Sequence, residues 1–172
     1  MSEGDWTELS KLNEDHDVHQ FSSGAPELDK WLKDRALKGQ LVGNATVFVF
    51  THGNRVIGYY ALASGGVELA SAPGPVKRNA PNPIPILLLA RLAVDDTVQG
   101  RGIGRLLLQD ALRRSLKVST EIGFRALLVH SRDESAKAFY LRLAPAFVAS
   151  PTESLHLMMP LAKMRQVLDG PA

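Results

Sequence analysis

A single α/β domain is the fold class this sequence predicts, and three observations carry the prediction. Apolar runs with the pattern of buried strands alternate with amphipathic stretches of helical period through the second half of the chain. A length of 172 residues is enough for one well-buried core. With 45% hydrophobic and 22% charged residues and a mean hydropathy of -0.06, the composition is that of an ordinary globular chain rather than a disordered or fibrous one. There is no cysteine, so disulfides, thiolate metal sites and cysteine nucleophiles are excluded. The opening residues are acidic rather than basic and then apolar, and no run approaches the roughly 18 apolar residues needed to cross a bilayer. The expectation is a cytoplasmic protein with no membrane partner, its one domain spanning residues 1–172.

The elements follow in order. From Pro26 to about Leu41, Leu28, Trp31, Leu32 and Ala36 recur at spacings of three and four, with Pro26 and Glu27 suited to a first turn, which predicts one amphipathic helix. Its other side carries Lys30, Lys33, Arg35 and Lys38 against Asp29 and Asp34, a solvated face or an anion-binding one. Ala45 to Thr51 and Arg55 to Ala63, rich in β-branched and aromatic residues, flank His52, Gly53 and Asn54 and predict a hairpin. Residues 64–85 hold five of the ten prolines and no sustained period, so they read as a long proline-rich loop, with Val67 to Leu69 a brief strand extension. Ile86 to Val94 is an almost continuous apolar run, the mark of a strand buried on both faces at the centre of a sheet. A glycine-rich turn leads into a helix from about Gly102 to Ile122, with Ile103, Leu107, Ala111, Ser115, Val118 and Ile122 on one stripe. Phe124 to His130 predicts a second buried strand. Ser131 to Glu134 has capping-box spacing before a short helix, Ser135 to Leu143, and Leu155 to Leu161 predicts a last strand.

The formal charge of +2 is unevenly spread. Residues 1–17 hold Glu3, Asp5, Glu8, Glu14, Asp15 and Asp17 against Lys11, a net -5, which leaves +7 on residues 18–172. A basic body favours an anionic partner such as a nucleic acid or a nucleotide, and equally serves solubility.

The stretch that carries chemistry is Gln99, Gly100, Arg101, Gly102, Ile103 and Gly104, set between a buried strand and the start of a long helix. Glycines there let the chain bend tightly and present successive backbone N–H groups, which with the positive end of the helix dipole form an anion cradle suited to a diphosphate. The Walker loop is excluded because its Gly-Lys-Ser/Thr is missing, and the dinucleotide fingerprint because Arg105 stands where its third glycine belongs. A glycine turn that merely joins strand to helix is the plain alternative.

Arg91-Leu92-Ala93-Val94, a four-residue gap and then Gln99 to Gly104 resembles the acetyl-CoA motif of the GCN5-related N-acetyltransferases (GNAT). Phe21 with Gly24, Leu28 to Leu32, Gly58-Tyr59-Tyr60, Leu89 to Asp95, Leu127 to His130 and Phe139-Tyr140 extend the likeness to that family's toxin branch, whose members belong to type II toxin–antitoxin systems and acetylate aminoacyl-tRNA. The sequence departs from the branch at three places. Ser23 stands where it usually has cysteine, Asn44-Ala45-Thr46 replaces a Ser-Arg-Thr-like turn, and Ala144-Pro145-Ala146-Phe147 replaces a glycine-phenylalanine ending. The resemblance implies the GNAT fold, a central mixed, mostly antiparallel sheet flanked by helices. It implies acetyl-CoA as cosubstrate, held by the backbone of Leu92, Ala93 and Val94 along the pantetheine arm and by Gln99, Gly100, Arg101, Gly102, Ile103 and Gly104 at the pyrophosphate, with Ser135 nearby. It implies Tyr140 as the proton donor to the departing thiolate. The implied partners are aminoacyl-tRNA, approached by Lys30, Lys33 and Lys38, and a ribbon-helix-helix antitoxin through which alone DNA is bound; a homodimer stays open.

The substrate class has a physical argument beside the resemblance. Deprotonating a lysine amine of pKa about 10.4 at about pH 7.5 costs roughly 4 kcal/mol, whereas an α-amine near 7.7–8.0 costs well under about 1 kcal/mol. No carboxylate is placed by sequence beside the reacting carbon: Glu68 reads as a loop charge, Asp95 as a strand-end cap, and His130 as a base or a structural histidine. An α-amine is therefore favoured, with a small amine, a protein N-terminus or a non-catalytic acetyl-CoA-binding module as the alternatives. His16, His19, His52 and His156 have no metal-ligand spacing, so no metal is expected, and Trp31 reads as core rather than as a base-stacking platform.

Overall fold

The computed structural model of the chain describes Gly4, Trp6, Thr7 and residues 9–169; of the acidic opening segment, Glu3, Asp5 and Glu8 lie outside them. Seven strands form one sheet in the order β1-β2-β3-β4-β5-β7-β6: β1 Ser10–Lys11, β2 Thr46–His52, β3 Arg55–Val67, β4 Ile84–Val94, β5 Ala126–His130, β6 Val148–Ala149 and β7 His156–Pro160. Among the described residues six α-helices accompany the strands: α1 Pro26–Asp34, α2 Ala36–Leu41, α3 Gly74–Lys77, α4 Ile103–Val118, α5 Glu134–Leu143 and α6 Leu161–Leu168. The β4–β5 ladder is parallel, and the ladders of β1 with β2, β2 with β3, β5 with β7 and β6 with β7 are antiparallel. The strand expected at the centre, β4, is the fourth of the seven. The chain divides into two compact units, 1–63 with 90–111 and 64–89 with 112–172; β3, β4 and α4 run from one into the other.

In the first unit, the β2–β3 hairpin turns at Gly53–Asn54, where Gly53 has φ +61°, and its register runs from His52↔Arg55 to Thr46↔Leu62 with a bulge between Phe50 and Thr51. Alternate hairpin side chains Val47, Val49, Val56, Tyr59 and Ala61 join Phe21, Leu32, Ala36 and Ala93 in one buried cluster. The single helix expected over Pro26–Leu41 is two, broken at Arg35, whose φ of -127° leaves the helical region. The apolar spacing is blind to this break because Leu32 and Ala36, four apart, remain in phase and both are buried. At Gly58 the side chains of α4 lie close on β3: a Cβ there would lie 3.0 Å from Ile103 Cγ2 and 3.3 Å from Leu107 Cδ1. The buried residues Ile103, Leu107, Ala111 and Ser115 lie on the α4 stripe as expected, but the helix ends at Val118 and leaves Ile122 exposed.

In the second unit, residues 64–85 are not a loop throughout. β3 continues to Val67, a 3-10 turn follows at Leu69–Ser71, α3 occupies Gly74–Lys77, and β4 begins at Ile84. Ala72 and Val76 from this stretch are buried with Ile84, Ile86, Ala126, Leu128 and Met158. Elements of three or four residues are too short to show a period, which is why the sequence conceals them. The segment is also pinned, since Ser150 Oγ donates to the Ser71 carbonyl at 2.6 Å. The cap of α5 is Asp133, which accepts from Ala136 N–H at 2.8 Å, rather than the expected Ser131, whose hydroxyl is buried without a hydrogen-bond partner.

Candidate functional site

The cradle is built by two glycines with left-handed backbone. Gly100 has φ +78° and Gly102 φ +85°, and a Cβ at either would meet nothing within 4 Å, so conformation rather than crowding demands glycine there. Gln99, Gly100, Arg101 and Gly102 are exposed while Ile103, 1% exposed, anchors the first turn of α4 in the core. The result is a solvent-facing loop at a helix N-terminus, where first-turn amides lack intrahelical acceptors. Gln99 braces this loop: its Nε2 donates to the Val94 carbonyl at 3.0 Å and to the Ser23 carbonyl at 2.8 Å. Ser23 is itself fixed by Asp29, which accepts from its hydroxyl at 2.6 Å. The Ser23 position thus supports the cradle through its carbonyl oxygen.

Leu92, Ala93 and Val94 close β4. The ladder with β5 runs from Leu87↔Leu127 to Leu89↔Val129 and ends there, so the β4 backbone from Ala90 to Val94 has no β5 partner. An edge of that kind accepts an extended chain as an added strand. Asp95, next in sequence, is fully buried and spent on structure: it accepts from Ser22 N–H, Thr97 N–H and Thr97 Oγ1, at 3.1, 3.0 and 2.6 Å, and pairs with Arg55 at 3.6 Å. It is the strand-end cap, not a base. Glu68 is exposed just beyond β3.

The second unit carries α5. Ser135 lies exposed in its first turn, and Tyr140 is buried between Phe139 and Phe147, edge-to-face with both at centroid distances of 5.4 and 6.1 Å. Burial raises the Tyr140 phenol above its ordinary pKa of 10, so it stays protonated across the neutral range. His130 stacks on His156, centroids 3.9 Å apart and rings 8° from parallel; partial burial and then the neighbouring imidazole lower its pKa, against a raising influence from Glu153. His130 is thereby neutral near pH 7, with its ring face committed to His156.

On the first unit, α1, α2 and the segment after α2 enclose a groove of about 590 Å³ whose charged lining is Lys30, Arg35 and Lys38 against Asp34, with Trp31 and Val42 beside them. The structure brings Lys30 and Lys38 together here; Lys33, also exposed, is not part of the lining. Trp31 stacks on Tyr59 at 6.0 Å on one side and carries the Arg91 guanidinium 4.5 Å from its centroid, so it packs as expected rather than offering a platform to a base. Two contacts of evident consequence are not readable from the sequence: that of Arg91, itself part of the quoted motif, with Trp31, and that of Trp6, over whose ring the Arg101 guanidinium sits at 4.6 Å. Trp6 and Arg101 are too far apart in sequence for any local spacing to reveal them. Among the described residues no group of three or more His, Asp or Glu side chains is arranged to hold a metal ion, and no helix is long and apolar enough to cross a membrane.

Comparison with known proteins gives a consistent set of likenesses. The family described as "Acetyltransferase (GNAT) domain" matches residues 43–143. A relative from Mycobacterium tuberculosis named "tRNA-acetylating toxin" is 46% identical over 158 residues, 92% of this chain and 94% of its own. A tyrosine-to-phenylalanine mutant of KacT superposes with a TM-score of 0.87 at 27% identity, over 95% of this chain and 99% of that one. The KacTA–DNA complex gives 0.79 at 29%, over 95% and 98%. AtaT complexed with acetyl-methionyl-tRNAfMet gives 0.85 at 25%, over 95% and 99%.

Proposed function

The chain belongs to the GNAT family of N-acetyltransferases, with acetyl-CoA as its acetyl donor, and on that premise we propose that it acetylates the α-amine of aminoacyl-tRNA and so blocks translation. The observation that carries this reading is the 46% identity, across nearly the whole of both chains, to a tRNA-acetylating toxin. The cradle fits the donor, since the exposed Gly100–Gly102 loop leaves open space where side chains would otherwise stand.

When bound, acetyl-CoA supplies an acetyl group activated as a thioester. The amides of Gln99 to Gly104 and the Arg101 side chain hold its diphosphate, and the unpaired edge of β4 at Leu92 and Ala93 holds the pantetheine arm. Val94 contributes its N–H side, because its carbonyl already accepts from Gln99. Ser135 adds a contact at the start of α5. Tyr140, kept protonated by burial, donates the proton that the leaving sulfur needs. No residue is required as a strong base, because an α-amine near pKa 7.7–8.0 has roughly a fifth to a third of its population neutral at physiological pH. Lys30 and Lys38, in the groove of the first unit, and Lys33 beside it meet phosphates of the tRNA acceptor stem.

An enzyme of this activity stops the translation of its own cell unless held in check. The partner is accordingly a ribbon-helix-helix antitoxin with an acidic tail that competes for the basic surface, and DNA is bound only through that pair; the KacTA–DNA complex supports this part of the reading. The site of action is the cytoplasm, where charged tRNA is found. Induced expression of the chain alone tests the biology. Arrest of protein synthesis, relieved by Tyr140→Phe, is the expected result; undiminished growth with soluble, acetyl-CoA-binding protein overturns it in favour of a small-amine or protein N-terminal acetyltransferase.

A further inference from the structure

We propose that Trp6 is a positioning residue for the cofactor cradle, holding the Arg101 side chain in place for the diphosphate of acetyl-CoA. This rests on the assignment of the cradle in the preceding subsection and adds to it the segment that precedes the first strand.

Trp6 is itself firmly placed. It forms a bridge with His52 at the end of β2, the next residue's N–H donates to the Thr51 carbonyl at 3.0 Å, and its ring meets Phe50 edge-to-face at 5.4 Å. The indole Nε1 is buried with no hydrogen-bond partner among the described residues, and the ring packs against Phe50 and under the Arg101 guanidinium, 4.6 Å from its centroid. Arg101 stands between the two left-handed glycines, on the exposed part of the loop. An exposed arginine has many rotamers to lose when it engages a phosphate, and a cation held over an indole face has already lost most of them. The contact with the ring is made through the guanidinium face, whereas a phosphate is bound through guanidinium N–H groups, so the two interactions do not compete for the same surface of the group. Trp6 is thereby coupled to cofactor affinity without itself touching the cofactor.

Calorimetric titration of the full chain with acetyl-CoA and with acetyl-pantetheine, which lacks the diphosphate, tests this. Trp6→Leu, which keeps an apolar contact for Phe50, raises the Kd for acetyl-CoA about three- to tenfold, as expected for a partly exposed cation–π pair, and leaves that for acetyl-pantetheine unchanged. Trp6→Phe, which keeps an aromatic face, stays near wild type. Arg101→Ala weakens acetyl-CoA binding, and adding Trp6→Leu to it costs nothing more. Additive losses, tighter binding in Trp6→Leu, or equal losses for both ligands would overturn the proposal while leaving the cradle intact. If Arg101→Ala and Gly102→Glu both bind acetyl-CoA like wild type, the cradle assignment fails and the role of Trp6 with it.

Discussion

Under the proposed function, Tyr140 and Gly102 are the residues at which single atoms decide the chemistry. Replacing Tyr140 by Phe keeps the ring between Phe139 and Phe147 and removes the proton donor, so kcat falls about 10²- to 10⁴-fold in single-turnover measurements, with Tm and acetyl-CoA affinity little changed. The pH profile carries the same argument. The phenol is raised above 10 by burial, so it is neutral, and a donor, at every pH below that. kcat/KM for an aminoacyl acceptor therefore climbs as the α-amine loses its proton, at or below about 8, and shows no tyrosine-linked fall up to about pH 10. A descending limb near pH 8 would contradict it. At Gly102, with φ +85° and open space beyond Cα, Gly102→Glu sets a carboxylate in the anion cradle, and calorimetry shows acetyl-CoA affinity falling sharply, whereas Gly102→Ala bears only the backbone strain and loses less.

At the scale of elements, Gln40 of α2 ties the helix pair to the hairpin side of the sheet: its Nε2 donates to the Leu12 carbonyl and its Oε1 accepts from Val47 N–H, both at 2.8 Å. Gln40→Leu leaves both backbone groups unpaired in a partly buried place and lowers stability by about 1–3 kcal/mol in urea denaturation. The α1–α2 groove makes a second element-scale prediction. Charge reversal at Lys30 or Lys38, which line it, weakens use of charged tRNA and flattens its salt dependence more than reversal at Lys33, with acetyl-CoA affinity unchanged in all three. Equal activity of all three across salt concentrations would remove the groove from the acceptor surface. Elements with a clear period were legible in the sequence: the β2–β3 hairpin, β4, α4, β5 and α5 stand within a few residues of expectation. The two-residue strands β1 and β6 and the turns inside residues 64–85 were not, because elements this short carry no period. Helix α6 carries a signal, with Leu161, Met164 and Leu168 at helical spacing and Met164 fully buried, but it follows directly on the apolar strand β7, whose pattern runs into it.

Across the whole molecule, what the sequence revealed of the site is what lies close together along the chain. The strand, glycine turn and helix were legible because they follow one another along the chain, and the tight bend expected there is made by Gly100 and Gly102 with positive φ. The bracing was not, since Gln99 reaches back to Ser23, Arg91 lies over Trp31 and Arg101 over Trp6, pairs separated by tens of residues that only the folded chain unites. Asp95 shows the converse: its place in the sequence admitted a base or a cap, and four contacts with three residues in the fold decide for the cap. The identity and charge of the acceptor are properties of the molecule as a whole, and one assay reaches them directly. Protein, acetyl-labelled acetyl-CoA and a pool of charged tRNA are incubated together, and the aminoacyl esters are separated and counted beside uncharged tRNA, free amino acids and polyamines. Label on the α-amine of one or more aminoacyl-tRNAs, lost in Tyr140→Phe, is the result expected of this protein; label that accumulates on free amines or on protein N-termini while charged tRNA stays unmodified would contradict it.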